Sequence, residues 1–259
     1  MIGDGGTIIL IADDYGLGEG HDRVMRDLIE THAIDGVSVL VELCSAASAE
    51  ALLSLREKCR IGLHLNLTLA SQGEPDRPSR LKLLIGGLFG LGRARARAAL
   101  ETQFNMFVDL FGFEPEFIDG HEHCHSYPTL SQEVMAFASS KNVPVRAIRL
   151  AAPPKGLKEY VLNWLGRRQL VEAKQSGVKT NEYFAGVLPL DRPQDAIRQL
   201  DDILTSLDKK IPANSECWIM CHPGDAGDPM QVQGHSPALR NLEAEYLRKR
   251  ANFRKSQAI

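Results

Sequence analysis

Carboxylates, imidazoles and a guanidinium gather at the ends of apolar runs in this sequence. Asp13 and Asp14 follow Thr7 to Ala12, His64 lies within Arg60 to Leu67, and Asp119-Gly120-His121-Glu122-His123-Cys124-His125 follows a short apolar stretch. Arg149 closes Val145 to Leu150, and His222-Pro223-Gly224 closes Glu216 to Cys221. Carboxylate and imidazole together suit Zn²⁺ or a similar divalent cation, which needs three protein ligands and an open position in a catalytic site. One aspartate and two histidines fill that count. A cation so held lowers the pKa of its water to about 7 and polarises a carbonyl. A second carboxylate is then free to take the water's proton, and an imidazole to protonate a leaving group.

In extended backbone, adjacent side chains diverge and alternate ones share a face. That predicts one of Asp13 and Asp14 facing the cation while its neighbour orients water. It also turns the rings of His121, His123 and His125 to one side, where burial without partners is costly. Taken singly, each feature has an ordinary structural reading: the aspartates as a turn or helix cap, His64 as a core histidine, Arg149 as an ion-pair member, His222-Pro-Gly as a turn. Their shared position at strand ends points to one site.

The elements that must position these groups follow an alternating rhythm. Strands are predicted at 7–12, 36–41, 60–67, 116–119, 145–150, 183–187 and 216–221, with helices at 20–33, 46–58 and 93–111 among those between them. Leu100, Phe104, Phe107 and Phe111 form an apolar stripe at helical spacing. Residues 68–92, rich in glycine, read as a loop or lid. Seven strands alternating with helices imply a parallel α/β sheet whose active face is at the strand C-termini. A closed or nearly closed barrel and a doubly wound open sheet both fit that rhythm.

The chain has 259 residues, 44% hydrophobic and 24% charged, which suits one folded domain without disulfide staples. With 30 basic against 33 acidic residues, no broad field attracts nucleic acid or an anionic membrane. Five cysteines with no Cys-x-x-Cys spacing argue against a disulfide framework or zinc ribbon and fit a reducing cytoplasm. Met1 to Gly6 lacks the pattern of a signal peptide, and no apolar run reaches the roughly 20 residues of a spanning helix. A homo-oligomer is left open.

At these residues the sequence resembles the YdjC/ChbG family of carbohydrate deacetylases. The resemblance rests on Ala12-Asp13-Asp14-Tyr15-Gly16-Leu17, on Gly62-Leu63-His64-Leu65-Asn66-Leu67-Thr68, on Asp119 to His125 flanked by Pro115 and Pro128, and on His222-Pro223-Gly224. It implies a single domain over 1–259, a distorted, incomplete TIM-like (β/α) barrel of about seven parallel strands. It further implies Asp14, His64 and His121 as ligands of one Mg²⁺ or Zn²⁺, Asp13 as general base and His222 as proton donor. His123, His125 and Arg149 become substrate contacts, and the substrate an N-acetylated sugar. Ile11 where the family commonly has Asn, the stretched segment Thr68 to Pro75, and the charged helix 236–255 with Arg248, Lys249, Arg250 and Arg254 depart from the family pattern. Hydrolysis of another bond, or sugar binding without turnover, are the alternatives the residues leave.

Overall fold

The computed structural model describes residues 6–71, 76–207 and 211–257, the last five of these as backbone only. Gly73 and Pro75 of the stretched segment, Met1 to Gly5 and the Arg254 side chain therefore lie outside the described residues. Six strands, β1 (Thr7–Tyr15), β2 (Gly36–Val39), β3 (Arg60–Leu65), β4 (Ile118–Gly120), β5 (Tyr183–Ala185) and β6 (Glu216–Cys221), form one sheet in the order β4-β3-β2-β1-β6-β5. Every pairing is parallel, and the sheet curls into an incomplete barrel. Helices α1 (Glu19–Glu30), α2 (Ala46–Leu53), α3 (Arg80–Leu88), α4 (Arg93–Phe111), α5 (Leu130–Lys141), α6 (Leu157–Ser176), α7 (Pro193–Ser206) and α8 (Pro237–Gln257) accompany it.

The seventh expected strand, 145–150, is not formed as a ladder. Its residues make isolated parallel bridges, Ile118 to Val145 on one sheet edge and Leu150 to Phe184 on the other. Side chains take the place of a neighbouring strand: Asn181 accepts the Ala147 N–H at 2.8 Å and donates to the Ala147 carbonyl at 2.9 Å. Gln169 accepts the Ile148 N–H at 3.2 Å. The backbone is satisfied although regular pairing is lost, as a buried segment requires.

Alternation along the strands divides the interior into two layers. Ile9, Ile11, Phe117 and Trp218 form a buried apolar cluster of their own, apart from the large core between sheet and helices. Two residues further along β1, β4 and β6, on the same face, stand Asp13, Asp119 and Met220. The apolar plug thus underlies the acidic residues, as layered side chains fill parallel barrels. Ile11, fully buried in that plug, has a packing role. Glycines make room for it: a Cβ on Gly62 would lie 2.3 Å from the Phe117 ring, and one on Gly36 2.8 Å from Ile11 Cδ1.

On α4 the predicted apolar stripe is buried, and Gln103 between its members is buried too, bonded to the backbone of Asn66 in both directions at 2.8 Å. The stretch 68–92, expected as loop or lid, instead contains α3. Its Gly87 presses against the Pro128 carbonyl, where a Cβ would approach to 2.3 Å, and the Thr129 hydroxyl donates to the Gly87 carbonyl at 2.7 Å. No described helix is long and apolar enough to cross a membrane.

Gly62→Ala places a methyl group in the Phe117 ring and is expected to cost about 1–3 kcal/mol in denaturant unfolding. Adding Phe117→Leu should recover part of that loss. Full stability of the single variant would show that the plug is loosely packed.

Candidate active site

The end of β1 departs from the divergence expected of adjacent residues. Pairing of β1 with β2 shifts register between Ala12 and Tyr15, and Asp14 adopts φ 70°. A bulge of this kind re-aims side chains, and both carboxylates join the same buried cluster around His64. The turn beyond is pinned by Asp22 of α1, which accepts the Gly16 N–H at 2.6 Å.

Asp13 and Asp14 nevertheless have different partners. Arg146 Nη1 donates to Asp13 Oδ1 at 2.7 Å and its Nη2 to Oδ2 at 2.5 Å, a bidentate clamp. The same Nη2 lies 2.8 Å from Asp119 Oδ2. Asp14 Oδ1 faces two imidazoles, 2.9 Å from His121 Nδ1 and 3.5 Å from His64 Nε2, while Oδ2 accepts from Arg240 Nη2 at 2.8 Å. Burial pushes the Asp13 carboxyl up, aided by Asp119 and only partly offset by Arg146. Burial also works against ionised Asp14, but His121, His64 and Arg240 outweigh it and hold the pKa well below the usual range.

His64 stands between the two carboxylate groups. Its Nδ1 lies 2.6 Å from Asp119 Oδ1 and 3.1 Å from the Ser38 hydroxyl, which itself donates to Asp119. With Nδ1 oriented by a carboxylate, Nε2 is directed at Asp14, an arrangement that metal-binding histidines share. Burial opposes charge on His64, yet Asp119 and Asp13 push its pKa up to about 10. Three carboxylates here call for more positive charge than the arginines bring.

Asp14, His64 and His121 each offer one ligand atom within 4.8 Å of the others, and all three are buried. One carboxylate and two imidazoles with this spacing fit a divalent cation, with room for further ligands. A second group of equal spacing, Asp13, His64 and Asp119, is internally satisfied by Arg146 and by the short His64–Asp119 contact.

The His-x-His-x-His run is not extended, so its rings do not share a side. Residues 121–126 form a 3-10 turn in which Glu122 and His123 take φ 52° and 59°. Two successive left-handed residues cost about 1–3 kcal/mol each. The Tyr127 hydroxyl on the Glu122 carbonyl and the Ser126 hydroxyl on the His123 carbonyl, both at 2.7 Å, brace the turn. His121 thereby meets Asp14, while half-buried His123 stacks edge-on to Phe184 at 5.9 Å between centroids. His125 passes beneath, its Nε2–H donating to the Arg146 carbonyl at 2.9 Å.

His222 lies on the β6 side, close enough to Asp14 and His64 for both to act on its charge. Its N–H donates to Glu243 Oε2 of α8, and its ring meets that of His235 at 4.9 Å in a perpendicular contact. Burial, His235 and Arg240 hold the His222 imidazole well below its ordinary pKa, and burial lowers His235 to about 3. Arg149 stands apart from this cluster, its guanidinium 3.3 Å from the Glu182 carbonyl and 4.9 Å from the Tyr183 ring centroid.

Sequence reading missed Arg146, Arg240, Glu243 and His235, and gave Asp119 no role. Arg146 had a signal, a cation in the middle of an apolar stretch. Arg240 and Glu243, three apart on α8 and fully buried, had none that separates them from a solvated helix face.

The sequence matches the family model described as YdjC-like protein over residues 7–256. A chitooligosaccharide deacetylase of Proteus mirabilis (strain HI4320) is 27% identical over 244 residues, 88% of this chain and 85% of that protein. A carbohydrate deacetylase of Mus musculus is 29% identical over 251 residues, 84% of this chain and 77% of that protein. A solved structure from Enterococcus faecalis V583, whose name assigns it to cellobiose-phosphate cleavage, superposes with a TM-score of 0.67 at 19% identity. It covers 95% of this chain and 94% of its own, a likeness of fold.

Arg146→Met leaves Asp13 and Asp119 buried without their cation and is expected to cost about 3–5 kcal/mol near neutral pH. Because both carboxyls can then take up protons, the deficit should shrink on acidification. A deficit independent of pH in denaturant unfolding would assign the loss to packing alone. Glu243 gives a second pH test, since burial pushes its carboxyl from 4.5 to about 7, partly offset by the His222 N–H and Arg240. The folded state then binds the extra proton below pH 7, and that stabilisation is lost as pH rises through this value. Glu243→Gln keeps an acceptor with no proton to lose, so it should gain on the wild type by up to about 3 kcal/mol between about pH 5 and about pH 8. Parallel stability curves would remove this role for burial.

Proposed function

This chain belongs to the YdjC-like protein family, and from that premise we propose that it is a hydrolase removing the N-acetyl group of an acetylated amino sugar, in an oligosaccharide or glycoconjugate. We take one divalent cation, Mg²⁺ or Zn²⁺, as its cofactor. The observation that carries the reading is the convergence of Asp14, His64 and His121, with Asp119 seated behind His64 and Asp13 alongside as a second carboxylate.

In this reading Asp14, His64 and His121 hold the cation. When bound, it supplies Lewis-acid polarisation of the acetyl carbonyl and a lowered pKa for water. Asp119 and Ser38 keep the proton of His64 on Nδ1, leaving Nε2 as the donor atom. Asp13 is the general base: burial raises its proton affinity, and the Arg146 clamp fixes its position. The attacking water adds its oxygen to the acetyl carbon, and Asp13 takes one of its protons. The C–N bond then breaks as the amine nitrogen is protonated, giving acetate and a free amine.

His222 is the proton donor to that amine. Burial keeps it neutral at rest, so the proton it delivers is acquired within the turnover, and its low pKa makes it a strong acid once charged. His123, half-buried beside Phe184, and Arg149, over Tyr183, are assigned to the sugar. His125, whose Nε2–H is committed to the Arg146 carbonyl, supports Arg146 from beneath. The free thiols of all five cysteines fit a reducing, cytoplasmic setting.

Acetate release from N-acetylglucosamine oligomers, assayed with and without chelator, tests the reading. Asp13→Asn should lose about 10²–10⁴-fold in turnover while retaining bound metal. His121→Ala should lose metal and activity together. A purified chain without metal, and without rescue by Zn²⁺ or Mg²⁺, would overturn the cofactor; Asp13→Asn at wild-type rate would remove the base.

A further inference from the structure

The helix α3 is apolar on both sides. Leu83, Leu84 and Gly87 pack inward, while Leu81, Ile85 and Leu88, at positions i, i+4 and i+7, face solvent. The turn that follows continues the outer face, with Phe89 77% and Leu91 65% exposed. Single exposed apolar residues are ordinary, but five large ones within eleven residues of sequence make a contiguous feature of the kind that marks an interaction site.

Charge identifies what that face is built to meet. Residues 77–100 contain six lysines and arginines and no aspartate or glutamate. Arg80, Lys82, Arg93, Arg95 and Arg97 among them are exposed, flanking the apolar residues before and after. Glu42 takes the buried Arg77, and Glu133 and Glu101 partly offset Arg93 and Arg97, so the positive surface beside the apolar face is carried chiefly by the exposed Arg80 and Lys82. An uncharged apolar patch on a protein partner would not call for the cations that flank this face. An anionic bilayer does: acyl chains receive the leucines and phenylalanine, and lipid phosphates receive the cations, each worth a severalfold gain in affinity near the surface.

The face also adjoins the candidate site. The helix α3 leans on the turn 121–126 that carries His121 and His123, and just beyond that turn its Gly87 meets Pro128 and accepts the Thr129 hydroxyl at its carbonyl. The helix α6 packs on the same turn, and its exposed Leu157, Tyr160 and Trp164, again at i, i+3 and i+7, add apolar surface on that flank.

We propose that α3, the turn 89–92 and the first turn of α4 form a docking surface for an anionic lipid bilayer, and that the acetylated sugar reaches the site as the headgroup of a lipid in that bilayer. The second half rests on the deacetylase reading; the first does not. Docking there sets the His121 turn beside the membrane surface, where a lipid-borne sugar is presented and a soluble oligosaccharide has no advantage.

Binding is measured by co-sedimentation of the full chain with vesicles of phosphatidylcholine alone or mixed with phosphatidylglycerol, with no turnover involved. The mixed vesicles should bind at least about tenfold more protein, an effect that high salt removes. Leu88→Glu combined with Phe89→Glu should abolish binding, and Arg80→Glu with Lys82→Glu should weaken it, while both variants keep wild-type acetate release from soluble N-acetylglucosamine oligomers. On an N-acetylglucosaminyl lipid in mixed vesicles, the wild type should deacetylate at least about tenfold faster than the Leu88/Phe89 variant. Equal or absent binding to the two vesicle types overturns the docking surface. So does a wild-type dimer in ultracentrifugation that the same double variant splits, because a second copy then covers the face. Vesicle binding together with equal lipid turnover by wild type and variant overturns the substrate half alone. Absence of turnover on every sugar with binding intact strikes the deacetylase reading and leaves the docking surface standing.

Discussion

Three carboxylates buried in one cluster cannot all be ionised unless positive charge is built in beside them, and that constraint shapes the rest of this structure. Leaving an ion unpaired in the interior costs several kcal/mol. Asp13, Asp14 and Asp119 are therefore served by two arginines with no exposure at all, Arg146 and Arg240. The arginines are held by distant parts of the chain, one between the sheet edges and one on the last helix. Asp119 and Asp13 also raise the proton affinity of His64, so positive charge is favoured at this point of the cluster and a divalent cation has a favourable electrostatic place there.

Several irregularities follow from that demand. Arg146 must reach inward from the segment where a seventh strand was expected, and this segment joins the edges of the sheet by isolated bridges alone. Asn181 and Gln169 take over its backbone bonds, and His125 takes the Arg146 carbonyl. At the end of β1 the bulge and the positive φ of Asp14 bring a second carboxylate to a face that strand alternation reserves for the first. Beneath these groups the ordinary rules hold. Ile9, Ile11, Phe117 and Trp218 pack as a dry plug, with Gly36 and Gly62 sized to admit them. The regular layer supports the irregular one, which is where strain can be stored without loss of the fold.

What could be read in advance divides along the same line. Strand positions and the parallel sheet were legible because apolar runs alternate with helical periods, and α4 and β6 fall where periodicity placed them. That the aspartates of β1, His64 and the run from Asp119 would meet was legible because strand ends share one face, whereas the choice of Asp14, His64 and His121 among them came from the family resemblance. The orientation of His123 and His125 was not, since it depends on two left-handed residues held by Tyr127 and Ser126 hydroxyls, and neither residue is a glycine. Position at a strand end singles out Arg149, but 145–150 forms no regular strand, and it is Arg146 whose side chain enters the cluster. In 68–92 the glycines suggested a loop, but α3 accommodates two of them, Gly86 and Gly87, the second where a side chain would strike Pro128.

The last helix, which the family match over residues 7–256 includes, shows how a charged surface helix can be part of the site. From composition α8 is a charged helix with a solvated face, and most of its charges are that. Arg240 and Glu243 are different, lying three residues apart and therefore on one side of the helix. Arg240 takes Asp14 Oδ2, so that Oδ1 is the oxygen left facing His64 and His121. Glu243 holds the backbone of His222, and the Arg240 carbonyl accepts the Gly224 N–H at 3.0 Å. One helix face thus fixes the orientation of a candidate ligand and the position of a candidate proton donor together. Any change that slides α8 along its axis would disturb both, although neither residue belongs to the four motifs that made the site recognisable.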